Sequence, residues 1–261
     1  MNEDLKNIEK WSHQWLVKFS PPKTKSLIVS NKYNVHLNPQ VQLFGQKIEE
    51  VESHVYLGLR FSKNLRWTHH IHDISLKARK KLNLMVPLKY KLDRKALEIM
   101  YKAFVLPSLE YANVVWGGSY DSDILKLEII HVDAMRLVTG ATARSNIANL
   151  YEECNWLSVK ERIDNASLIM MYKVLNGLTP AYLSDLVQHE GQQKPYNFRQ
   201  CKVLKESFCR LDIFSRSFFP RVTKLWNNLP HDLQGCTSLE ELKCKLKPEQ
   251  ADNRVLYYYG E

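Results

Sequence analysis

Residues 71–85 read IHDISLKARKKLNLM, and this stretch decides the fold class. Ile71, Ile74, Leu76, Ala78, Leu82 and Met85 recur at helical spacing, which predicts an amphipathic helix rather than a strand. Lys77, Arg79, Lys80 and Lys81 crowd its second half, where cations also complement the helix dipole. Pro87 marks its end. Asp93 is a good N-cap for a second helix that carries Leu97, Met100, Tyr101 and Phe104 and stops before Pro107. The stretch from Pro107 to Gly118 is an aromatic-rich connector. Asp121 caps a helix from about 122 to 139 that closes on Gly140. Ser158 and Glu161 form a capping box for a helix running to about Asn176 and Gly177, and Ser238 with Glu241 repeats the device.

Toward the N-terminus the pattern changes. Leu5, Ile8, Trp11, Trp15 and Leu16 predict a helix over 3–18, stopped by Pro21 and Pro22. Residues 24–30 are β-prone, Val35, Val41, Leu43 and Phe44 continue with extended character, and Gly45-Gln46-Lys47 reads as a turn. Val55, Leu57, Leu59 and Phe61 alternate as in a half-buried strand. The expectation is a mainly α protein with a small N-terminal antiparallel β-meander.

Length and charge narrow the function classes. The 261 residues are 44% hydrophobic and 11% aromatic, too apolar for a disordered tail. No apolar run approaches the length of a membrane span, and the charged N-terminus does not read as a secretory signal. Five cysteines suit a reduced, intracellular compartment, cytoplasmic or nuclear. The net charge of +9 is localised: residues 60–105 carry 12 Lys/Arg against 3 Asp/Glu, and the flanking regions nearly cancel. Such a stripe is the electrostatic footprint of a phosphate-backbone binder, with a solvated lysine-rich face as the plainer reading.

Other chemistry is weakly signalled. His69, His70 and His72 with Asp73 form a cluster, but no fourth ligand stands at a zinc spacing, so polar residues at a helix start explain them. Cys201/Cys209 and Cys236/Cys244 are too widely spaced for a zinc knuckle. There is no nucleophile elbow, no phosphate-binding glycine loop and no adjacent aspartate pair.

A chain-long series of motifs resembles one family. Asp4, Leu5, Ile8, Trp11, Trp15, Leu16 and Phe19, followed by Ser20, Pro21, Lys23, Thr24 and Lys25, resemble the segment after the catalytic aspartates in reverse transcriptases of non-LTR, LINE-type retrotransposons, jockey-like ones above all. His54 to Phe61 resembles the hairpin that grips the primer end. Trp67, His70 and Ile71 resemble the opening of the thumb helix. Tyr101 to Ala112, with Val115-Trp116-Gly117, resembles the stretch beyond the thumb, and Leu225 to Pro230 the C-terminal tail.

The resemblance implies a palm remnant over 1–62, a basic helical thumb over 63–106 and a helical post-thumb domain over 107–187. An irregular segment over 188–214 and a helical tail over 215–261 would follow. It implies an RNA-directed DNA polymerase whose Asp-Asp turn lies upstream of residue 1, so this polypeptide alone would be inactive. Magnesium would belong to the full-length polymerase, with no cofactor or metal in this chain. Lys23 and Lys25 would be auxiliary residues beside the leaving pyrophosphate. Tyr56, Leu57 and Gly58 would form the primer-grip turn. Lys77, Arg79, Lys80, Lys81, Lys89, Lys91, Arg94 and Lys95 would meet the backbone of an RNA or DNA template–primer duplex without reading its sequence. Two other readings remain open: a helical module that docks protein through Trp116, Trp156 and Trp226, and a decayed element copy. No membrane partner is expected.

Overall fold

The computed structural model describes residues 1–30, 40–187 and 204–247. Most of the predicted segment at 188–214 therefore lies outside the described residues, as do Val35 and Cys201. The chain is mostly helical with a few small sheets and divides into two compact units, residues 1–70 and 71–261.

In the first unit, α1 (Asn2–Gln14) ends earlier than the expected residue 18. Leu16 turns left-handed (φ 53°), and the Val17 amide reaches back to the Ser12 carbonyl at 3.0 Å. This closes the helix as a glycine cap would, four residues before the prolines. The meander is built from short ladders: β1 (Lys25–Ser26) with β4 (Glu49–Glu50), β2 (Gln42–Leu43) with β3 (Gln46–Lys47), and β5 (Ser53–Tyr56) with β6 (Leu59–Ser62). The last two are antiparallel and the first is parallel. Helix α1 is fixed to the β2–β3 hairpin by Asn2, whose side chain pairs with Gln40 and Gln42, and by Glu9, which accepts from the Phe44 amide. Leu5 and Phe44 pack onto a core of Val41, Leu43 and Ile48.

The alternation read as one strand over Val51–Phe61 is a hairpin instead. The chain reverses at Leu57-Gly58, so Leu59 is buried while Val55 and Leu57 are exposed. Period-two spacing survives a two-residue turn, so alternation alone does not reveal the reversal.

Helix α2 (Thr68–Met85) crosses from the first unit into the second. Ile71, Ile74, Ala78, Leu82 and Met85 form its buried stripe, but Leu76 lies off that stripe and is 49% exposed. A 3₁₀ segment (Val86–Tyr90) follows. Asp93 caps α3 (Arg94–Met100), accepting from the Ala96 amide at 2.8 Å. The helix does not stop before Pro107. It widens into a π-turn over Tyr101–Val105 and resumes as α4 (Leu106–Glu110). The extra residue per turn takes up the missing proline amide, and the Leu106 amide bonds five residues back to Tyr101. Tyr101 is thereby fully buried while Phe104 is left partly exposed.

Then come α5 (Asn113–Trp116), α6 (Asp121–Thr139), α7 (Ile147–Cys154), α8 (Val159–Leu175) and α9 (Ala181–Ser184). The chain continues with α10 (Asp212–Ser215), α11 (Phe218–Asn227), α12 (His231–Gln234) and α13 (Leu239–Lys245). Asp121 is the first residue of α6 rather than its cap, which falls on Tyr120. Gly140 (φ 75°) ends α6 and Gly177 (φ 68°) follows α8, as predicted. The capping box of Ser158 and Glu161 is complete. Ser238 accepts from the Glu241 amide, but the Glu241 carboxylate turns to Thr237.

Helix α6 packs against α3, α7 and α8. A second cluster joins Leu168, Met171 and Tyr172 of α8 to Val222 and Trp226 of α11 and Leu242 of α13. Trp116 (0% exposed), Trp156 (4%) and Trp226 (3%) are all core residues. This corrects the reading of them as a protein-docking surface: their indoles are already covered by the chain itself. The Trp-Gly motif has a steric cause. A Cβ on Gly117 would lie 2.5 Å from Ile163 Cγ2, and one on Gly118 would lie 1.8 Å from the Arg216 carbonyl oxygen.

Polar groups are also enclosed. The Glu128 carboxylate of α6 accepts from the Tyr151 hydroxyl of α7 and from the Val159 amide at the start of α8. Burial raises its pKa to about 7. His131, one turn on, bonds the Tyr101 hydroxyl at 2.5 Å. Burial and the nearby Arg162 charge lower its pKa to about 3. The four described cysteines form no disulfide. Among the described residues no helix is long and apolar enough to cross a membrane.

Two outcomes follow for stability. Gly118→Ala should cost at least about 2 kcal/mol, measured as a lower urea midpoint, because backbone cannot yield as a side chain can. The pH test uses the opposite signs of Glu128 and His131. Between about pH 4.5 and 7 the folded chain holds a proton at Glu128 that the unfolded chain has lost. Glu128 thus favours folding at the acid end and loses that contribution as pH rises through 7. His131 stays neutral down to about pH 3, whereas the unfolded ring gains a proton below 6.5, so it opposes folding as pH falls. In Glu128→Gln only the histidine effect remains. Its stability should climb from pH 4.5 to 6.5 more steeply than that of the wild type, by at most about 1.4 kcal/mol per pH unit.

Candidate nucleic-acid interface

The eight basic residues predicted to meet a duplex fall into two groups. Lys77 and Lys80 stand one turn apart on α2, Lys89 and Lys91 lie on and just after the 3₁₀ segment, and Lys95 lies in the first turn of α3. All five are exposed, and no carboxylate pairs with them among the described residues. Lys89 lies over the Tyr90 ring, 4.7 Å from its centroid.

The other three are engaged within the fold. Arg79 pairs with Asp133 of α6 at 2.5 Å. Arg94 pairs with Glu153 of α7 at 2.5 Å and also bonds its carbonyl at 3.1 Å. Lys81 donates to the Phe104 carbonyl at 3.0 Å and the Ser108 hydroxyl at 2.6 Å. It therefore braces the π-turn rather than extending into solvent. These partners lie 23 to 59 residues away in the chain, and local spacing could not reveal them.

Within the first unit, Lys23 is exposed on a 3₁₀ turn (Pro21–Lys23), and Lys25 of β1 pairs with Glu49 of β4. The ion pair follows directly from the Lys25–Glu49 register of the parallel ladder. Tyr56, Leu57 and Gly58 form the tip of the β5–β6 hairpin. Leu57 (φ 48°) and Gly58 (φ 80°) are both left-handed, the two-residue turn that matches strand twist. Tyr56 is 63% and Leu57 70% exposed, so the tip offers an apolar surface held by a rigid ladder. Leucine is a costly choice there, since a branched side chain pays sterically for positive φ.

The histidine cluster does not converge. His69 and His72 are exposed, while His70 is buried, accepts from the Arg60 amide at 3.4 Å and packs edge-on to Trp67. Among the described residues no three His, Cys, Asp or Glu side chains gather as a metal ion would require.

Sequence reasoning missed Asp133 and Arg136, which sit beside Arg79 and join it in one ion-paired group. The signal was present as an i, i+3 pair in the last two turns of the predicted 122–139 helix. Its partner across the fold was not.

Leu57→Asn should stabilise the chain by about 1 kcal/mol, because asparagine tolerates the left-handed turn. The measurement is the urea midpoint, and a midpoint lowered by the change would contradict the strain assigned to this position.

Similarity to known proteins covers much of this framework. The chain is 25% identical over 144 residues to the RNA-directed DNA polymerase from mobile element jockey of Drosophila melanogaster, covering 54% of this chain and 16% of that protein. It is 24% identical over 169 residues to a probable RNA-directed DNA polymerase from transposon BS of the same species, covering 62% and 18%. A third, the probable RNA-directed DNA polymerase from transposon X-element, is 22% identical over 163 residues, covering 61% and 18%. The aligned region thus spans less than one fifth of each relative. No protein-family model matches the chain, and no solved structure does. Over more than half of its length, then, the chain is similar to part of the RNA-directed DNA polymerases of non-LTR retrotransposons.

Proposed function

We propose that this chain performs the strand-holding part of RNA-directed DNA polymerisation. It holds a template–primer duplex by its phosphates and leaves nucleotide transfer to residues it does not contain. The observation that carries this reading is the set of five lysines at 77, 80, 89, 91 and 95, exposed and without carboxylate partners among the described residues, on consecutive elements. Flexible ammonium groups on a rigid frame suit backbone contact, which positions a duplex without reading its bases. In this reading residues 63–106 act as the thumb and the β5–β6 tip as the primer grip, where Tyr56 and Leu57 lie against the sugar and base at the strand end. Lys23, exposed beside β1, would neutralise phosphate charge, a role from which the ion pair with Glu49 withdraws Lys25.

The residues present do not fit a two-magnesium centre. No two aspartates are adjacent anywhere in the sequence, and no acidic cluster forms among the described residues. That chemistry needs carboxylates holding two ions about 4 Å apart. No catalytic step is assigned to this chain, and with Mg²⁺ and deoxynucleotides it should not extend a primer.

The test is binding of the full chain to a fluorescent RNA–DNA hybrid across a salt series. Replacing Lys77, Lys80, Lys89, Lys91 and Lys95 by Gln should flatten the log–log salt slope by about 4 to 5 units. An unchanged slope would place the contacts elsewhere. Replacing Arg79, Lys81 and Arg94 instead should chiefly lower the urea midpoint, since these three hold the fold together.

A further inference from the structure

One side of α1 in the first unit is left in water. Asp4, Ile8, Trp11 and Trp15 recur at spacings of four, three and four, so they share a side of the helix. The helix meets the β2–β3 hairpin by a different side, through Leu5 and Glu9, and Ser12 on that side is buried. Trp11 (48% exposed), Trp15 (64%) and Phe19 (39%) form one aromatic cluster. The ring centroids of Trp11 and Trp15 lie 6.4 Å apart, and those of Trp11 and Phe19 6.3 Å apart. Ile8, Leu16 and Val17 are exposed beside them in the chain.

Among the described residues of this unit only four apolar side chains are buried: Val41, Leu43, Ile48 and Leu59. Single exposed hydrophobics are ordinary, but packed aromatics in a patch mark a surface that another molecule covers. Trp11 already rests on both Trp15 and Phe19, so covering the cluster costs little side-chain entropy. At ~150–250 Å² for a whole aromatic side chain, these exposures leave roughly 600 Å² of apolar surface per copy. Two such faces together would bury about 1,200 Å², the lower end of stable specific interfaces. The charges of the face also complement themselves. Glu3 and Asp4 stand in the first turn of α1 and Lys18 follows its end. Lys6 and Lys10 lie at least about 100° around the helix from Trp11.

We propose that this face pairs with the same face of a second copy of the chain, the two α1 helices running antiparallel about a twofold axis near Trp11. Trp11, Trp15 and Phe19 of each copy then cover those of the other. The same rotation sets the acidic first turn of each helix beside Lys18 of its partner, twice over. A parallel pairing would instead oppose Asp4 to Asp4 and Lys18 to Lys18. Because the contact is made by one patch on itself, it closes at two copies. A nucleic-acid occupant fits the face less well, since Asp4 lies on it and would repel phosphate.

The experiment is sedimentation equilibrium of the full chain from about 1 to 100 μM, at about 0.15 M salt and without nucleic acid. A monomer–dimer equilibrium with a dissociation constant of about 10 μM is expected. Replacing Trp11 and Trp15 by Ser should weaken it at least about tenfold, with helical circular dichroism retained because both side chains are exposed. Asp4→Lys should weaken it about fivefold, Lys18→Asp likewise, and the two changes together should restore it. Asp4 and Lys18 are both exposed, so the exchange reads the interface rather than the fold. A chain that stays monomeric at about 100 μM would overturn the proposal and leave the face to a different polypeptide or to nucleic acid. So would open-ended aggregation, or dimers that persist equally in the tryptophan variant. A double charge exchange that dimerises no better than either single one would overturn it too. Failure here leaves the salt-slope test of backbone binding untouched, because none of its five lysines lies in the first unit.

Discussion

The buried carboxylate of Glu128 is the constraint on which the second unit depends. It sits in the middle of α6 and accepts from α7 through Tyr151 and from the first turn of α8 through the Val159 amide. Three helices are thereby held by one side chain. A carboxyl group enclosed this way is tolerated because its oxygens are met, and its raised pKa records the remaining cost of burial. One turn further, His131 and Tyr101 form a second enclosed pair, stacked against Trp156. The polar centre and the aromatic layer together fix the depth at which α3 and the π-turn pack on α6.

From that spine the charged surface takes its form. Asp133 on α6 draws Arg79 inward, Glu153 on α7 draws Arg94, and the π-turn carbonyl of Phe104 takes Lys81. What remains outside is a sparser set of lysines than the sequence stripe suggests. Charge density in the sequence and charge available to a partner are different quantities, because folding neutralises some cations and leaves others in water. Both of these arginines are held by carboxylates while staying partly in water, which accords with the planar fork of a guanidinium favouring fixed carboxylate partners.

In the first unit the tip of the β5–β6 hairpin combines two properties that normally exclude each other: exposed apolar side chains and a left-handed backbone at a leucine. Stored strain of this kind is tolerated where the surrounding ladder over-determines the turn. The tip is an apolar projection carried on a four-residue antiparallel ladder.

Local signals alone determined much of this protein. Helix periodicity placed α2; Asp93, Ser158 and Ser238 marked helix starts; Gly140 and Gly177 marked the stops of α6 and α8. Each depends on residues within one turn of each other, so a linear reading captures it. The motif order likewise carried the resemblance to retrotransposon polymerases. Tertiary structure decided the rest. Pro107 was absorbed by a π-turn because burying Tyr101 against His131 and Trp156 outweighed ending the helix. The strand over 51–61 folded back because Leu57 and Gly58 took left-handed angles that alternation does not encode. Which cations found carboxylate partners depended on Asp133 and Glu153 arriving from more than fifty residues away, and contacts of that range exist only once the helices have packed.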